Sequence, residues 1–251
     1  MDLGDRAHKG LVDTMGVFGD HTADGWFRYV GTAGLIVTTL PHHAFNTITP
    51  TVDTATDDLR IGAIEVAETG YPWCVMLRDG VDDGHLGFAE ELGLQRDDET
   101  VPLMAATEPR RVPWPDELEL VTGSWTLAMH RALLCDAFDL PKSMVDPLVS
   151  EALAEDPRFT MVVGLLDGLP VTTASAIHTG DVVGVYSVAT SSDVRGRGYG
   201  SAITWACMEP GFDAGATLAV LQTSELGHRV YEGMGYEVVA TQARYAAPAS
   251  G

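Results

Sequence analysis

The sequence predicts an α/β (α+β) protein in which hairpins of short strands alternate with amphipathic helices. Three observations carry that expectation. Residues 159–166, 171–178 and 182–190 are rich in β-branched and apolar side chains and are joined by Asp167-Gly168 and Thr179-Gly180-Asp181. Tight Gly/Asp turns between such runs indicate antiparallel hairpins. Elsewhere apolar residues recur at helical spacing, as at Leu59, Ala63, Val66 and Ala67. Finally, a strand-like run ending at Thr190 leads through Arg195, Gly196, Arg197, Gly198, Tyr199 and Gly200 into a helical pattern of Ala202, Ile203, Ala206 and Cys207.

In order, residues 1–20 suit one helix with a polar lead-in. Residues 26–30 and 35–40 form a hairpin around Gly31 and Gly34, and 45–49 give a third strand stopped by Pro50. A helix over 55–68 has aspartates at its start and Gly70 past its end. The apolar run 72–77 reads as a buried strand. A short helix over 84–94 and a strand over 100–105 close this half. Residues 107–116 hold three prolines and make a linker between residues 1–106 and 117–247. The second half opens with a strand at 118–121. Ser124 then caps a helix to about Phe138 with Trp125, Met129, Ala132 and Cys135 inward. A helix over 143–155, the three hairpin strands, the glycine loop with its helix, and a strand over 217–222 come next. Thr223 or Ser224 caps a helix over 226–234, and one or two strands over 236–245 finish the chain.

Composition narrows the function classes. A net charge of −21 argues against nucleic acid and anionic membranes, since both call for a basic surface. No run of 18 apolar residues spans a bilayer, and the N-terminus lacks the regions of a signal peptide. Cys74, Cys135 and Cys207 are far apart in apolar surroundings and read as buried hydrophobes of a cytoplasmic protein, with neither metal nor disulfide framework. The acidic surface serves solubility first; it also suits attraction of a cationic amine.

The stretch Val188–Ala202 has the chemistry of an anion site. Glycines let successive amides converge, a helix N-terminus adds partial positive charge, and Arg195 and Arg197 add full charges. A Walker loop needs a lysine that is missing here. A dinucleotide fingerprint needs a glycine where Ser201 stands. What remains, Arg195, Gly198 and Gly200 as Arg-x-x-Gly-x-Gly, resembles the acyl-CoA pyrophosphate loop of the GNAT superfamily of N-acetyltransferases. The segment Tyr231-Glu-Gly-Met-Gly-Tyr236 resembles the other diagnostic GNAT motif, Tyr-x-x-x-Gly-Phe/Tyr.

The resemblance covers about half the chain. It implies a GNAT fold with a mixed, mostly antiparallel sheet flanked by helices over residues 117–247, and acetyl-CoA as cosubstrate without a metal. The pyrophosphate and pantetheine contacts it implies are Val188, Ala189, Thr190, Arg195, Gly196, Arg197, Gly198, Tyr199, Gly200 and Ser201. Tyr231 would be the hydroxyl beside the thioester sulfur, able to protonate a departing thiolate. Gly227, one turn earlier, would leave room for its ring. Ser224 stands where many relatives carry a cofactor-holding asparagine, so it receives no contact.

A general base is less legible, because the strand before the loop has no carboxylate. The nearest titratable groups are His178, Asp181 and His228, and His178 is the catalytic candidate. The first half reads as a worn copy of the second: Gly93-Leu94 aligns with Gly235-Tyr236, Ala89 with Tyr231, and the acidic stretch 51–58 with the glycine loop. An unrelated α+β extension is the other reading of that half. Two function classes stay open. One is an acetyl (acyl) transferase acting on the amine of a small molecule or a protein, by direct attack in a ternary complex. The other is a non-catalytic acyl-CoA-binding or self-associating module. Nothing in the sequence identifies the acceptor, and a homodimer is compatible with either class.

Overall fold

The computed structural model describes residues 1–248. In chain order the elements are α1 (Leu3–His21), β1 (Trp26–Val30), β2 (Ala33–Val37), β3 (Asn46–Pro50), α2 (Thr56–Ala67), β4 (Cys74–Arg78), α3 (Leu86–Glu91), β5 (Gln95–Ala106) and β6 (Leu118–Thr122). Then come α4 (Leu127–Phe138), α5 (Lys142–Leu148), α6 (Glu151–Ala154), β7 (Phe159–Leu166), β8 (Leu169–Thr179), β9 (Val182–Thr190), α7 (Tyr199–Asp213), β10 (Leu218–Gln222), α8 (Glu225–Gly233) and β11 (Glu237–Ala246). They form two compact units, Met1–Leu103 with the C-terminal segment from Val238, and Met104–Glu237.

In the second unit β6, β7, β8 and β9 are successive antiparallel neighbours, and β10 joins β9 in parallel. The β7–β8 turn has positive φ at both Asp167 (52°) and Gly168 (77°), the backbone a two-residue hairpin with matching twist requires. Strand side chains alternate between faces. One face of the sheet places Val162, Ala174, Val183 and Val185 against Ile203, Cys207 and Met208 of α7. The other face places Val163 and Leu165 against Leu133 of α4.

Three local readings change. The buried residues of α4 are Leu127, His130, Leu133 and Leu134, while Trp125 is 62 % exposed. Ser124 starts a 3₁₀ turn and makes no side-chain cap. Because α4 is apolar nearly all round, periodicity alone could not set its phase. The helix expected over 143–155 is broken: Ser150 is extended, and its side chain accepts from the Leu153 amide at 3.1 Å to begin α6. The proline-rich stretch 107–116 is docked. Arg110 donates its amide to the Met234 carbonyl at 2.7 Å, Trp114 Nε1 donates to the Leu118 carbonyl at 2.6 Å, and Val112 packs on the core.

The first unit repeats much of this plan. Its β1, β2 and β3 are antiparallel neighbours, and β3 runs parallel to β4 as β9 does to β10. Strand β11, at the end of the chain, pairs antiparallel with β4 from Gln242↔Arg78 to Ala246↔Cys74. Helix ends match closely in the two halves. The Leu94 amide donates to the Ala89 carbonyl at 3.0 Å, and the Tyr236 amide to the Tyr231 carbonyl at 3.0 Å. Gly93 (φ 68°) and Gly235 (φ 89°) make the left-handed turn in each, as a helix C-terminus favours. Ala89 therefore holds the backbone position of Tyr231. The counterpart of the glycine loop differs: the Thr51 amide is held by Thr54 Oγ1 at 2.9 Å, and Asp57 and Asp58 occupy the first turn of α2.

A buried polar network ties α1 to this sheet. Gln242 Nε2 lies 3.0 Å from His8 Nδ1, and His8 Nε2 lies 2.8 Å from the Pro50 carbonyl. An amide nitrogen only donates, so Nδ1 accepts and Nε2–H donates, which makes His8 neutral. Arg78, 4 % exposed, binds Asp82 through Nε (3.0 Å) and Nη2 (2.9 Å) and reaches Asp5 through Nη1 (2.8 Å). Burial, and then the Arg78 charge, lowers the pKa of His8 from 6.5 to about 4. The unfolded chain thus binds a proton before the folded one as pH falls. The stabilisation is complete above pH 6.5 and disappears as pH drops towards 4, on the order of 3 kcal/mol. The urea midpoint should fall between pH 6.5 and pH 4, and His8→Gln should show a shallower fall. Parallel pH curves for the two proteins would remove His8 as a cause.

Candidate active site

Opposite Ala174 the regular pairing of β8 and β9 breaks. Thr173 pairs with Ala189 and Ser175 with Tyr186, so Ser187 and Val188 stand against one residue. Ser187 takes φ +56°, and the result is a β-bulge. On the other side of β9, parallel pairing with β10 stops at Val220↔Gly184. From Val185 onwards β9 therefore faces a cleft of about 630 Å³. Beyond the strand, the Ser191 amide donates to the Val171 carbonyl at 2.8 Å, and the chain turns into the glycine loop.

Gly196 (φ 79°) and Gly198 (φ 83°) both adopt left-handed backbone, and Gly198 caps α7. A Cβ on either would meet no protein atom within 4 Å, so the demand for glycine comes from φ and from what approaches the open side. The amides of residues 196–201 find no acceptor among the described residues outside their own helix, and the first turn of a helix offers none inside it. That leaves an array of donors at the positive end of α7. Tyr199 holds the array in place. Its ring is buried against Leu118, Val171 and Val194, and its hydroxyl donates to Glu117 at 3.0 Å. Arg195 folds back, Nε donating to the Thr190 carbonyl at 3.0 Å, and Ser201 Oγ donates to the Gly198 carbonyl at 2.9 Å.

The opposite wall comes from β10 and α8. Ser224 caps α8, accepting from the Gly227 amide at 3.3 Å. Tyr231 lines the cleft yet is only 8 % exposed, edge-on to Tyr236 with ring centroids 5.9 Å apart. Burial, followed by the nearby Cys207 thiol, raises its pKa well above 10, and a hydrogen bond with Thr204 offsets part of this. The phenol is therefore protonated at neutral pH.

Of the residues expected at the site, Val188, Ala189, Thr190, Arg195, Gly196, Gly198, Tyr199, Gly200, Ser201 and Tyr231 line this one cleft. Arg197 is exposed and lies outside the lining. His178 is not brought to it. It pairs with Val183 at the far end of β9, with Nε2 3.0 Å from the Gly180 carbonyl. Five residues of strand separate Val183 from Val188, about 17 Å. The candidate base thus lies outside the cleft lining, because nearness in sequence to the loop was nearness along a hairpin that leads to the other end of β9. Asp181 meets Thr217 at the same end of the sheet, and His228 pairs with Glu232 along α8.

Residues without a motif complete the cleft: Ala137 and Phe138 from the end of α4, with Gln222, Leu226 and Val230. Nothing local in the sequence marks Phe138, because only the fold brings α4 to β9. Behind the wall, fully buried His130 on α4 has Nδ1 2.6 Å from Thr173 Oγ1, which itself donates to the Val162 carbonyl at 2.8 Å. Nδ1 therefore carries the proton, and Nε2 has no partner among the described residues. Burial, and then the Arg131 charge, lowers the pKa of His130 to about 3. No group of residues suited to hold a metal occurs among the described residues.

Gly227 controls the ring of Tyr231. A Cβ there would lie 2.9 Å from Tyr231 Cε2 and 2.8 Å from Thr223 Oγ1. Gly227→Ala should therefore displace the ring, costing about 1–3 kcal/mol of stability by overpacking. A denaturation curve equal to that of the parent would refute this contact.

A family model described as "Acetyltransferase (GNAT) family" matches residues 125–236. Among solved structures, a GCN5-related N-acetyltransferase from Kribbella flavida superposes with TM-score 0.73 at 18 % identity, covering 100 % of this chain and 97 % of that one. A GCN5-related N-acetyltransferase from Sphaerobacter thermophilus gives TM-score 0.61 at 18 % identity over 86 % and 76 % of the two chains. A tandem GNAT protein from the clavulanic acid biosynthesis pathway gives 0.60 at 13 % identity over 98 % and 97 %. No match was found among curated proteins. At these identities the structural likeness is one of fold, and it supports the two-lobed layout; the family match rests on the segment that contains the loop, the bulge and Tyr231. Residues 125–236 are a GNAT-family acetyltransferase domain.

Proposed function

We propose that this protein transfers an acyl group, most simply acetyl, from acetyl-CoA to a primary amine of a small molecule or protein by direct attack in a ternary complex. One observation carries the reading: the amide array of the glycine loop and the protonated hydroxyl of Tyr231 share a single cleft. The amides of residues 196–201, with Arg195 beside them, are the groups to hold the pyrophosphate. The bulged strand is the groove for the pantetheine arm, and the backbone of Val188, free of pairing with β8, is suited to polarise the thioester carbonyl. Tyr231 gives its proton to the departing sulfur.

Binding and chemistry separate experimentally. Gly198→Val puts a β-branched side chain at φ +83°, a backbone it adopts only with strain, so the loop should distort and CoA affinity fall tenfold or more, roughly the loss of one or two amide contacts, with folding checked by circular dichroism. Unchanged affinity by calorimetry would mean that the loop is not the pyrophosphate site. Tyr231→Phe keeps the packed ring and CoA binding but should lower kcat by about 10²–10⁴ with little change in the KM for acetyl-CoA. An unaltered kcat, with chemistry rate-limiting, would take Tyr231 out of the reaction. CoA binding without release of thiol in the presence of any amine would instead favour a non-catalytic acyl-CoA-binding module.

A further inference from the structure

The cleft has a composition unlike the chain around it. Of 251 residues 36 are acidic, yet among the described residues no Asp, Glu, His or Lys lines the cleft, and the formal charge in that lining is Arg195. Its mouth carries three apolar side chains held out to solvent: Phe138 (51 % exposed), Leu226 (72 %) and Val230 (38 %). The carboxylates one residue from a lining position, Asp136, Asp139, Asp193, Glu225 and Glu232, are exposed and stay outside the lining. His130, the imidazole behind the wall, is sealed from solvent and depressed to about 3, so near neutrality it is uncharged, with its single proton on Nδ1.

An ammonium ion entering here would lose its hydration with no anion to pair with and no base to take its proton, a costly transfer. An aromatic amine meets neither obstacle. Resting on the acyltransfer reading above, we infer that the acceptor is a weakly basic amine with an apolar, aromatic body, bound neutral against Phe138 in the cleft between α4 and β9.

The step balances without a further reactant. The amine lone pair forms the C–N bond at the thioester carbonyl carbon and the C–S bond breaks. Tyr231 gives its proton to the sulfur and regains one from the nitrogen, leaving an amide and free CoA thiol.

The test uses the full chain with saturating acetyl-CoA, thiol release as the readout, and three acceptors: aniline, benzylamine and spermidine. At pH 7 an alkylamine with the basicity of lysine is neutral in only about one molecule in a few thousand. Aniline should therefore give the highest kcat/KM at pH 7 and a flat profile from pH 6 to 9, whereas benzylamine should climb about tenfold per pH unit. Phe138→Ala should lower kcat/KM for aniline about tenfold, the value of one aromatic contact, and leave CoA affinity intact. Preference for spermidine, or a plateau near neutrality with benzylamine, would reveal an anionic subsite or an enzyme base and overturn this inference while leaving acyl transfer standing. Thiol release with none of the three, despite CoA binding, would overturn this inference; only the absence of release with amines of every class would overturn acyl transfer as well.

Discussion

The geometry of the cleft depends on where β9 stops behaving as a strand of a sheet. Regular pairing satisfies every backbone group and leaves no space between neighbours. Here the parallel register with β10 covers three residue pairs, and the antiparallel register with β8 is interrupted by the Ser187 bulge. Left-handed backbone at a serine is unfavourable, so the packed strands on either side must impose it. The consequence is a wedge whose one wall is the bulged strand, whose floor is the start of α7, and whose other wall is α8 with Tyr231. Tyr199, buried and hydrogen-bonded to Glu117, keeps the floor from shifting.

The two halves share backbone construction and differ in the groups an anion would meet. Helix ends at Gly93 and Gly235 are built with the same hydrogen bonds, and parallel strand pairs occur in both. In the first half, however, the Thr51 amide is already satisfied by Thr54, aspartates occupy the first helical turn, and Ala89 replaces the phenol. An anion arriving there would find the Thr51 amide occupied and negative charge in front of it. What that half retains is a dense core and the buried His8–Gln242 and Arg78–Asp82 contacts, which bind α1, β4 and β11 together.

Charge is partitioned in a way that composition could not reveal. The excess of 21 negative charges is solvated on the outside, while the cleft is apolar and amide-lined with one arginine. Three buried titratable groups are held neutral, Tyr231 protonated and His8 and His130 without their extra proton, because a low dielectric penalises the charged form, whereas Arg78 and Asp82 are buried as an ion pair. The chemistry of the cleft is then electrostatically quiet except at the loop amides.

Local order was legible in the sequence because it depends on neighbours within a few residues. Asp167-Gly168 gives a hairpin, Gly196 and Gly198 supply positive φ, Ser224 caps α8, and the spacing of Gly227 and Tyr231 puts a gap beside a ring. The loop and the tyrosine could thus be marked as candidates, through their resemblance to GNAT motifs, before any fold was known. Tertiary structure alone decided the rest. It placed β11 against β4, exchanged the expected inward face of α4 for one carrying His130, carried His178 to the far end of its hairpin, and brought Phe138 to the cleft. Each of these turns on which surfaces meet across long stretches of chain. In a helix apolar on all sides, or a strand that fits either of two neighbours, the sequence supports several such pairings, and only the burial of the whole core selects one.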